Sequence, residues 1–303
     1  MTQSIVEIAQ DGRHISLFRG FLKISEGEQE LARIPLDSIH ALLLNCHQAT
    51  LTQNILLTCA NEGIPVILCA SNHQPAGILW PVVSHYKQAG NLQAQLGSTL
   101  PLAKQLWKQL VQAKIMGQHQ VLDATGNFLG NALAEMAGRV KSGDPENMEA
   151  QAARRYWPLL MGNDFTRNPD ISGANSLLNY GYAILRATVA RAVISVGLHP
   201  SLGVHHQNRL NAFCLVDDLM EPYRPTVDYC VFHLLREGKN DITPETKRML
   251  ANLMEWQVAM PSETTSISNA ILCTAQSLVQ SFNEGAPKLV LPQSAVPKIP
   301  VTE

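Results

Sequence analysis

Hydrophobic and polar positions change rhythm once along this chain, near residue 85. Before that point the apolar runs are short. Ser4–Ile8, His14–Ile24 and His40–Leu44 are alternating or apolar stretches, separated by turn material such as Gln10-Asp11-Gly12 and Glu26-Gly27-Glu28. Runs of that kind, bounded by turn residues, read as strands. Thr50 to Asn61 reads instead as one helix, because Leu51, Ile55, Leu56 and Cys59 fall at helical spacing and Gly63 and Pro65 stop it. Pro65–Cys69 then reads as a short buried strand. These elements predict a small, mostly-β domain with one embedded helix over residues 1–84.

After residue 85 the pattern is helical. Leu102 to Ile115, LAKQLWKQLVQAKI, has helical periodicity, and long helical patterns continue to about residue 284. Asp144-Pro145-Glu146 is a helix start, with an N-cap, a proline in the first turn and an acid facing the helix dipole. The helix it opens should run through Glu149 to about Trp157, where Pro158 disrupts it. A second helix should run from a cap at Asn211 to Met220 or Glu221, where Pro222 intervenes. The last stretch, EGAPKLVLPQSAVPKIPVTE, holds four prolines and reads as an extended or disordered tail over 285–303. No internal repeat is visible. The expected fold class is α+β: a mostly-β domain (1–84), a larger all-α domain (85–284) that carries the polar constellations, and a tail.

Composition narrows the function classes. At 46% hydrophobic and 16% charged the 303-residue chain is globular, and no apolar run reaches the ~18 residues a membrane helix needs. The N-terminus lacks the basic start and apolar core of a secretion signal, so a cytoplasmic protein is expected. Its six cysteines contain no CxxC pair, which fits reduced core residues rather than a structural zinc site. A net charge of −2 argues against an indiscriminate nucleic-acid binder but not against a local basic surface. From 151 to 236 every Lys-or-Arg position is an arginine, the side chain suited to bidentate phosphate contacts. Arginines that merely solvate helices are the plainer reading.

Three places hold candidate chemistry. Glu149, in NMEAQAARRYW, lies among alanines with Arg154 and Arg155 one to two turns on; a helix glutamate is more often solvated than functional. Asn175 to Arg191, NSLLNYGYAILRATVAR, looks like a buried helix in which Asn179 braces its neighbours. The densest place is VHHQNRLNAFCLVDDLMEPYR, Val204 to Arg224. Asp217 and Asp218 stand four and three residues before Glu221, so pairs of carboxylates share a helix face and repel unless a cation offsets them. The plainer reading is a solvated acidic face with Arg224 as counter-ion. With a histidine added, the set suits Mg²⁺ or Mn²⁺ rather than a closed zinc site, and a divalent ion beside arginines fits phosphodiester chemistry.

Taken in order, E-A-Q-A-A-R-R-Y-W from Glu149, N-S-L-L-N-Y-G-Y from Asn175, G-L-H-P-S-L-G-V-H-H from Gly197 and D-L-M-E-P-Y-R-P from Asp218 resemble a known family. It is the CRISPR-associated spacer-acquisition integrase, the larger of the two core adaptation proteins, and the last motif resembles its form in type II systems. The resemblance covers almost the whole chain.

It implies a Glu–His–acid triad that is both catalytic and metal-ligating: Glu149, His206 and, where the family commonly has aspartate, Glu221. Asp218 matches an auxiliary acid, His205 a neighbour, and Asp217 nothing. Arg209 and Arg224, with Arg154 and Arg155, become candidates for DNA phosphate contacts, or, for the first two, for ion pairs that fix the acids. The implied reaction is integration, in which 3′-hydroxyls of a short DNA fragment attack phosphodiester bonds at repeat borders by metal-dependent transesterification. The implied partners are double-stranded DNA (pre-spacer and CRISPR repeat), a second copy of the chain in a homodimer formed through the β domain, and a smaller ferredoxin-like adaptation protein in a four-plus-two complex. The tail is a candidate for β-augmentation of a partner. A stand-alone endonuclease and a non-catalytic DNA-binding scaffold are the alternatives.

Overall fold

Why the first strands pair as they do is clearest at Arg19-Gly20. Both residues have positive φ, 48° and 84°, the backbone of a tight two-residue hairpin turn. The apolar run His14–Ile24 is therefore two strands, β1 being Ser4–Ile8 and the hairpin β2 (His14–Phe18) and β3 (Phe21–Glu26), with Phe18 opposite Phe21. Arg-Gly is a weak turn signal, which is why the run reads as continuous from sequence. The computed structural model describes residues 4–69, 75–79, 88–168 and 170–298, and the chain divides into two units, Met1–Gln88 and Ala89–Glu303.

In the first unit β4 (Gln29–Pro35), β3, β2 and β6 (Thr50–Leu51) form one sheet. A second sheet has the order β1, β5 (Ile39–Leu44), β7 (Val66–Cys69) and β8 (Pro75–Leu79), its first three strands parallel. Helix α1 (Gln53–Asn61) is shorter than Thr50–Asn61, because Thr50 and Leu51 pair with β2 and Thr52 caps the helix from outside it. Val6, Ile15, Leu22, Leu42, Ile55 and Cys59 share one core.

The second unit holds α2 (Gln88–Leu96), α3 (Leu100–Ala124), α4 (Asn131–Arg139), α5 (Met148–Met161), α6 (Ala174–Ser195), α7 (Cys214–Met220), α8 (Arg224–Arg236), α9 (Pro244–Asn252) and α10 (Ile267–Glu284). It is not purely helical. Gln257–Ala259 and Thr264–Ser266 form an antiparallel hairpin, β9 and β10, where Val and Thr suit a strand. Among the described residues no helix is long and apolar enough to cross a membrane.

Gly181 explains how close α6 comes to α8. A methyl group there would lie 2.5 Å from Val227 Cγ1, so any larger residue would separate the helices. On the same helix Asn175 and Asn179 accept from Arg167 at 2.9 and 2.7 Å, so Asn179 ties α6 to the loop that precedes it rather than to a neighbouring helix. One proline expectation holds and one fails: α7 ends at Met220, before Pro222, as expected, while α5 runs on past Pro158. Pro158 lies inside α5, which continues to Met161 because Leu160 is buried. Pro222 sits in a 3-10 turn, Glu221–Tyr223, that leads directly into α8. Proline removes one N–H, and that loss is small where the chain is near a helix end and tertiary packing holds it.

The final segment lies along its own unit. Val290 donates to Ser277 Oγ and accepts from Thr274 Oγ1, Gln120 bridges Gln293 O and Ala295 N, and Lys298 exchanges two backbone hydrogen bonds with Gln257. Residues 299–303 lie outside the described residues.

Candidate metal centre

Glu149 is presented by an unusually capped helix start. Asn147, in left-handed conformation, is the N-cap of α5 and accepts from Ala150 N. Asp144, expected to be that cap, reaches across the turn and accepts from Met148 N at 2.8 Å and Glu149 N at 3.0 Å. Glu149 therefore stands in the first turn, where backbone N–H groups favour an acid.

Glu221 follows α7 in the turn that packs against α3. It is 4% exposed, a position where a carboxylate needs partners. Two cations supply them. Arg224 Nε donates to its Oε1 at 2.8 Å, and Lys114 Nζ of α3 lies 2.5 Å from its Oε2. That second contact is an ion pair without hydrogen-bond alignment, since Oε2 lacks a geometrically proper donor. Lys114 Nζ also donates to Glu149 Oε1 at 2.6 Å. One ammonium thus bridges two of the three acids and imidazoles singled out from sequence. Burial alone would push the Glu221 carboxyl up, but Arg224 and Lys114 outweigh it and hold the acid well below its usual range. Burial likewise opposes charge on Lys114, yet Glu221 and Glu149 raise its pKa.

His206 is fixed by Asp218. The buried Asp218 Oδ1 lies 2.5 Å from His206 Nδ1 and accepts from His206 N, while Oδ2 accepts from His205 N. The hydrogen bond that the ring donates to Asp218 first, and the nearby charges of Asp218, Glu221 and Glu149, raise the imidazole's pKa against a smaller opposing effect of burial. With Nδ1 engaged, Nε2 is the nitrogen left to face a ligand. Gly203 makes this loop possible, because a Cβ there would fall 2.3 Å from His206 O and 2.9 Å from Asp218 Oδ2. Trp107 of α3 stacks on His205 at 4.2 Å and meets His206 edge-on. From His206 a cleft of about 570 Å³ runs past Arg209, Leu96, Leu100 and Phe282.

The other candidates separate cleanly. Asp217 is held by Arg186 through two contacts of 2.7 and 2.8 Å and by Asn211 Nδ2, so it ties α7 to α6. Asn211 is consequently a turn residue before α7 rather than its cap. Arg224 is committed to Glu221 and lies over the Tyr182 ring; Arg209 is exposed at the cleft. Arg154 and Arg155 are exposed on α5, five and six residues beyond Glu149, and at about 100° per residue they do not share its face.

Among the described residues no three His, Cys, Asp or Glu side chains stand close enough to hold a metal ion. A cation nevertheless sits between Glu149 and Glu221, and it is Lys114. A pair of carboxylates that holds an internal cation, with an oriented imidazole beside it, has the donor chemistry of a hard divalent ion, so the residues fit such a group. Lys114 itself escaped sequence reasoning. Its signal was a lone charge on the stripe Trp107, Val111, Gln118, Val121 of α3, all of it buried.

Architecture and acid-rich centre define a two-unit protein, β-rich then helical, with a charged site in the helical unit. The chain belongs to the family described as CRISPR associated protein Cas1, whose model matches residues 6–252. It is 36% identical over 295 residues to a CRISPR-associated endonuclease Cas1 of Neisseria meningitidis serogroup C (strain 8013), covering 96% of this chain and 95% of that protein. Among solved structures it matches a casposase bound to integration product, with TM-score 0.78 and 20% identity, covering 95% of this chain and 92% of that one. A Cas6-RT-Cas1–Cas2 complex matches with TM-score 0.75 and 18% identity, covering 96% of this chain and 36% of that one. These structural likenesses bear on the fold, which is α+β.

Proposed function

We propose that this chain is the integrase of CRISPR adaptation, joining 3′-hydroxyl ends of a short double-stranded DNA fragment to phosphodiester bonds at repeat borders. The observation that carries it is the pair Glu149 and Glu221 held around one cation beside His206. A casposase bound to its integration product shares the fold, which supports joining. Relatives named endonucleases support a second reading, hydrolysis at the same site with water in place of the hydroxyl.

Glu149, His206 and Glu221 would hold Mg²⁺ or Mn²⁺, which when bound supplies positive charge for the attacked phosphate and the leaving oxygen. The chain's own residues do the positioning. Asp218 fixes the His206 ring and its tautomer, and Gly203 lets that loop close. Arg224 holds Glu221 in its ionised form. Arg209 offers a guanidinium at the cleft for a DNA phosphate. In the joining step the 3′-oxygen forms a new bond to phosphorus while the repeat strand's P–O3′ bond breaks. The number of phosphodiester bonds is unchanged, so no nucleotide cofactor is needed. Partners on this reading are the smaller adaptation protein, supported by the fold shared with a Cas6-RT-Cas1–Cas2 complex, and a second copy of the chain through the β unit, in the four-plus-two assembly that the motif resemblance implies. The proposed compartment is the cytoplasm.

The test supplies pre-spacer DNA with free 3′-hydroxyls, a repeat-containing plasmid and Mg²⁺ or Mn²⁺, with and without the smaller partner. Covalent joining supports the proposal. Cleavage alone would establish the endonuclease, and a mobility shift with neither reaction a scaffold. Glu149→Ala, His206→Ala and Glu221→Ala should each abolish joining, and full activity in all three would overturn the site.

A further inference from the structure

Lys114 is the charged group at the centre that the proposed reaction does not use. Its Nζ touches Glu149 Oε1 at 2.6 Å and Glu221 Oε2 at 2.5 Å, and its side chain is 12% exposed. We propose that Lys114 is an internal counter-cation that occupies the divalent-metal position and has to leave before a metal ion enters. The inference rests on the metal-dependent reading above.

Two features support it. Glu149 and Glu221 come from separate helical segments and meet on one ammonium, and two carboxylates so placed, one of them buried, would repel without a cation. The protein supplies that cation itself, so its acids are neutralised whether or not metal is present. A divalent ion bound by the same two carboxylates would then face a like charge at contact distance, which neither can tolerate. Of the two basic side chains on Glu221, Lys114 is the one able to move. Lysine is a point charge on a flexible four-carbon stem, whereas the Arg224 guanidinium lies 4.8 Å from the Tyr182 ring centroid and donates Nε to Glu221.

The consequence is that this residue weakens metal binding. Mn²⁺ titration of the full-length protein at one pH, followed by calorimetry and by electron paramagnetic resonance of free Mn²⁺, measures it directly. Lys114→Met and Lys114→Gln should bind Mn²⁺ at least tenfold more tightly than the unaltered protein, and Glu149→Gln should bind it at least tenfold more weakly. Unchanged or weakened affinity in both folded Lys114 variants overturns the proposal while leaving the metal reading intact, provided Glu149→Gln still loses binding. If Glu149→Gln binds as well as the unaltered protein, the metal reading fails and takes this inference with it. A measurement without any variant guards against misfolding. In crystals of the unaltered protein soaked with Mn²⁺, the anomalous peak should lie between Glu149 and Glu221 with Lys114 Nζ withdrawn from both. A peak there with Lys114 still bridging the two glutamates overturns the proposal.

Discussion

Glu221 and Asp228 are buried acids seven residues apart, 4% and 1% exposed, yet the protein treats them in opposite ways. Glu221 faces two cations, Lys114 and Arg224, and is held ionised. Asp228 faces two hydroxyls, Tyr156 OH at 3.0 Å and Tyr182 OH. Burial pushes its pKa up, and although both tyrosines and the more distant Arg224 and Lys114 pull it down, it settles at about 6. Hydroxyl dipoles satisfy an acid's lone pairs but do not neutralise its charge, whereas formal cations do both. The difference marks which acid is equipped to bind a cation and which one ties α5, α6 and α8 together.

The largest expected effect breaks the first half of that comparison. Glu221→Gln leaves Arg224 without its paired carboxylate and Lys114 with only Glu149, and breaking a buried ion pair costs about 3–5 kcal/mol. Urea unfolding at pH 7 should show that loss, together with a fall in Tm of roughly 10 °C; a loss below about 1 kcal/mol would mean the pair is effectively solvated. Gly203→Ala comes next. The added methyl cannot coexist with His206 O where it stands, so the loop must shift at a cost of about 1–3 kcal/mol. Calorimetry should find Mn²⁺ affinity reduced as His206 moves, and a metal affinity equal to that of the parent would contradict the proposed ligand set.

Asp228→Asn should be milder, within about 1–2 kcal/mol at pH 7, because the tyrosines keep an acceptor. Its use is in acid. The Glu221 pKa is depressed in the fold, so its stabilisation is complete above the unfolded value near 4.5 and is lost as pH falls below it. The Asp228 pKa is raised from 3.8 to about 6, so the folded state binds its proton first and stability rises as pH falls from 6 towards 3.8. Asp228→Asn should therefore steepen acid destabilisation between pH 6 and 4, and Glu221→Gln should flatten it below 4.5; parallel curves for all three proteins would remove the contrast. Smallest is His205→Ala, which loses the stack on Trp107 and should cost about 1 kcal/mol in thermal unfolding.

Much of this was legible in the chain. The change of rhythm near residue 85 lies close to the division at Gln88, and α1 and the helical second unit follow from periodicity. The limits were physical. The turn at Arg19-Gly20 carries no strong residue signal, and Pro158 obeys tertiary packing more than local rule, whereas Pro222 does mark the end of α7. Motif order singled out Glu149, His206, Glu221 and Asp218, which the fold sets near one another, and left aside Asp217, which pairs with Arg186. Lys114 could not be read that way, since it lies in none of the motifs and acts only through a contact 35 residues away on one side and 107 on the other. Arg186 was hidden likewise, one arginine among many until the fold set it on Asp217.

Gln120 has a consequence for how this protein is handled. It grips Gln293 and Ala295, and Ala295 in turn packs at Gly117, one turn of α3 from Lys114. A clone ending at residue 285 would not be a trimmed protein with a loose end removed. It would bare a strip of α3 beside Lys114 and leave Ser277, Thr274 and Gln120 without the groups they hold, so weakened assembly of such a clone would report a damaged second unit as readily as a missing partner contact. The tail is better probed by single substitutions than by deletion.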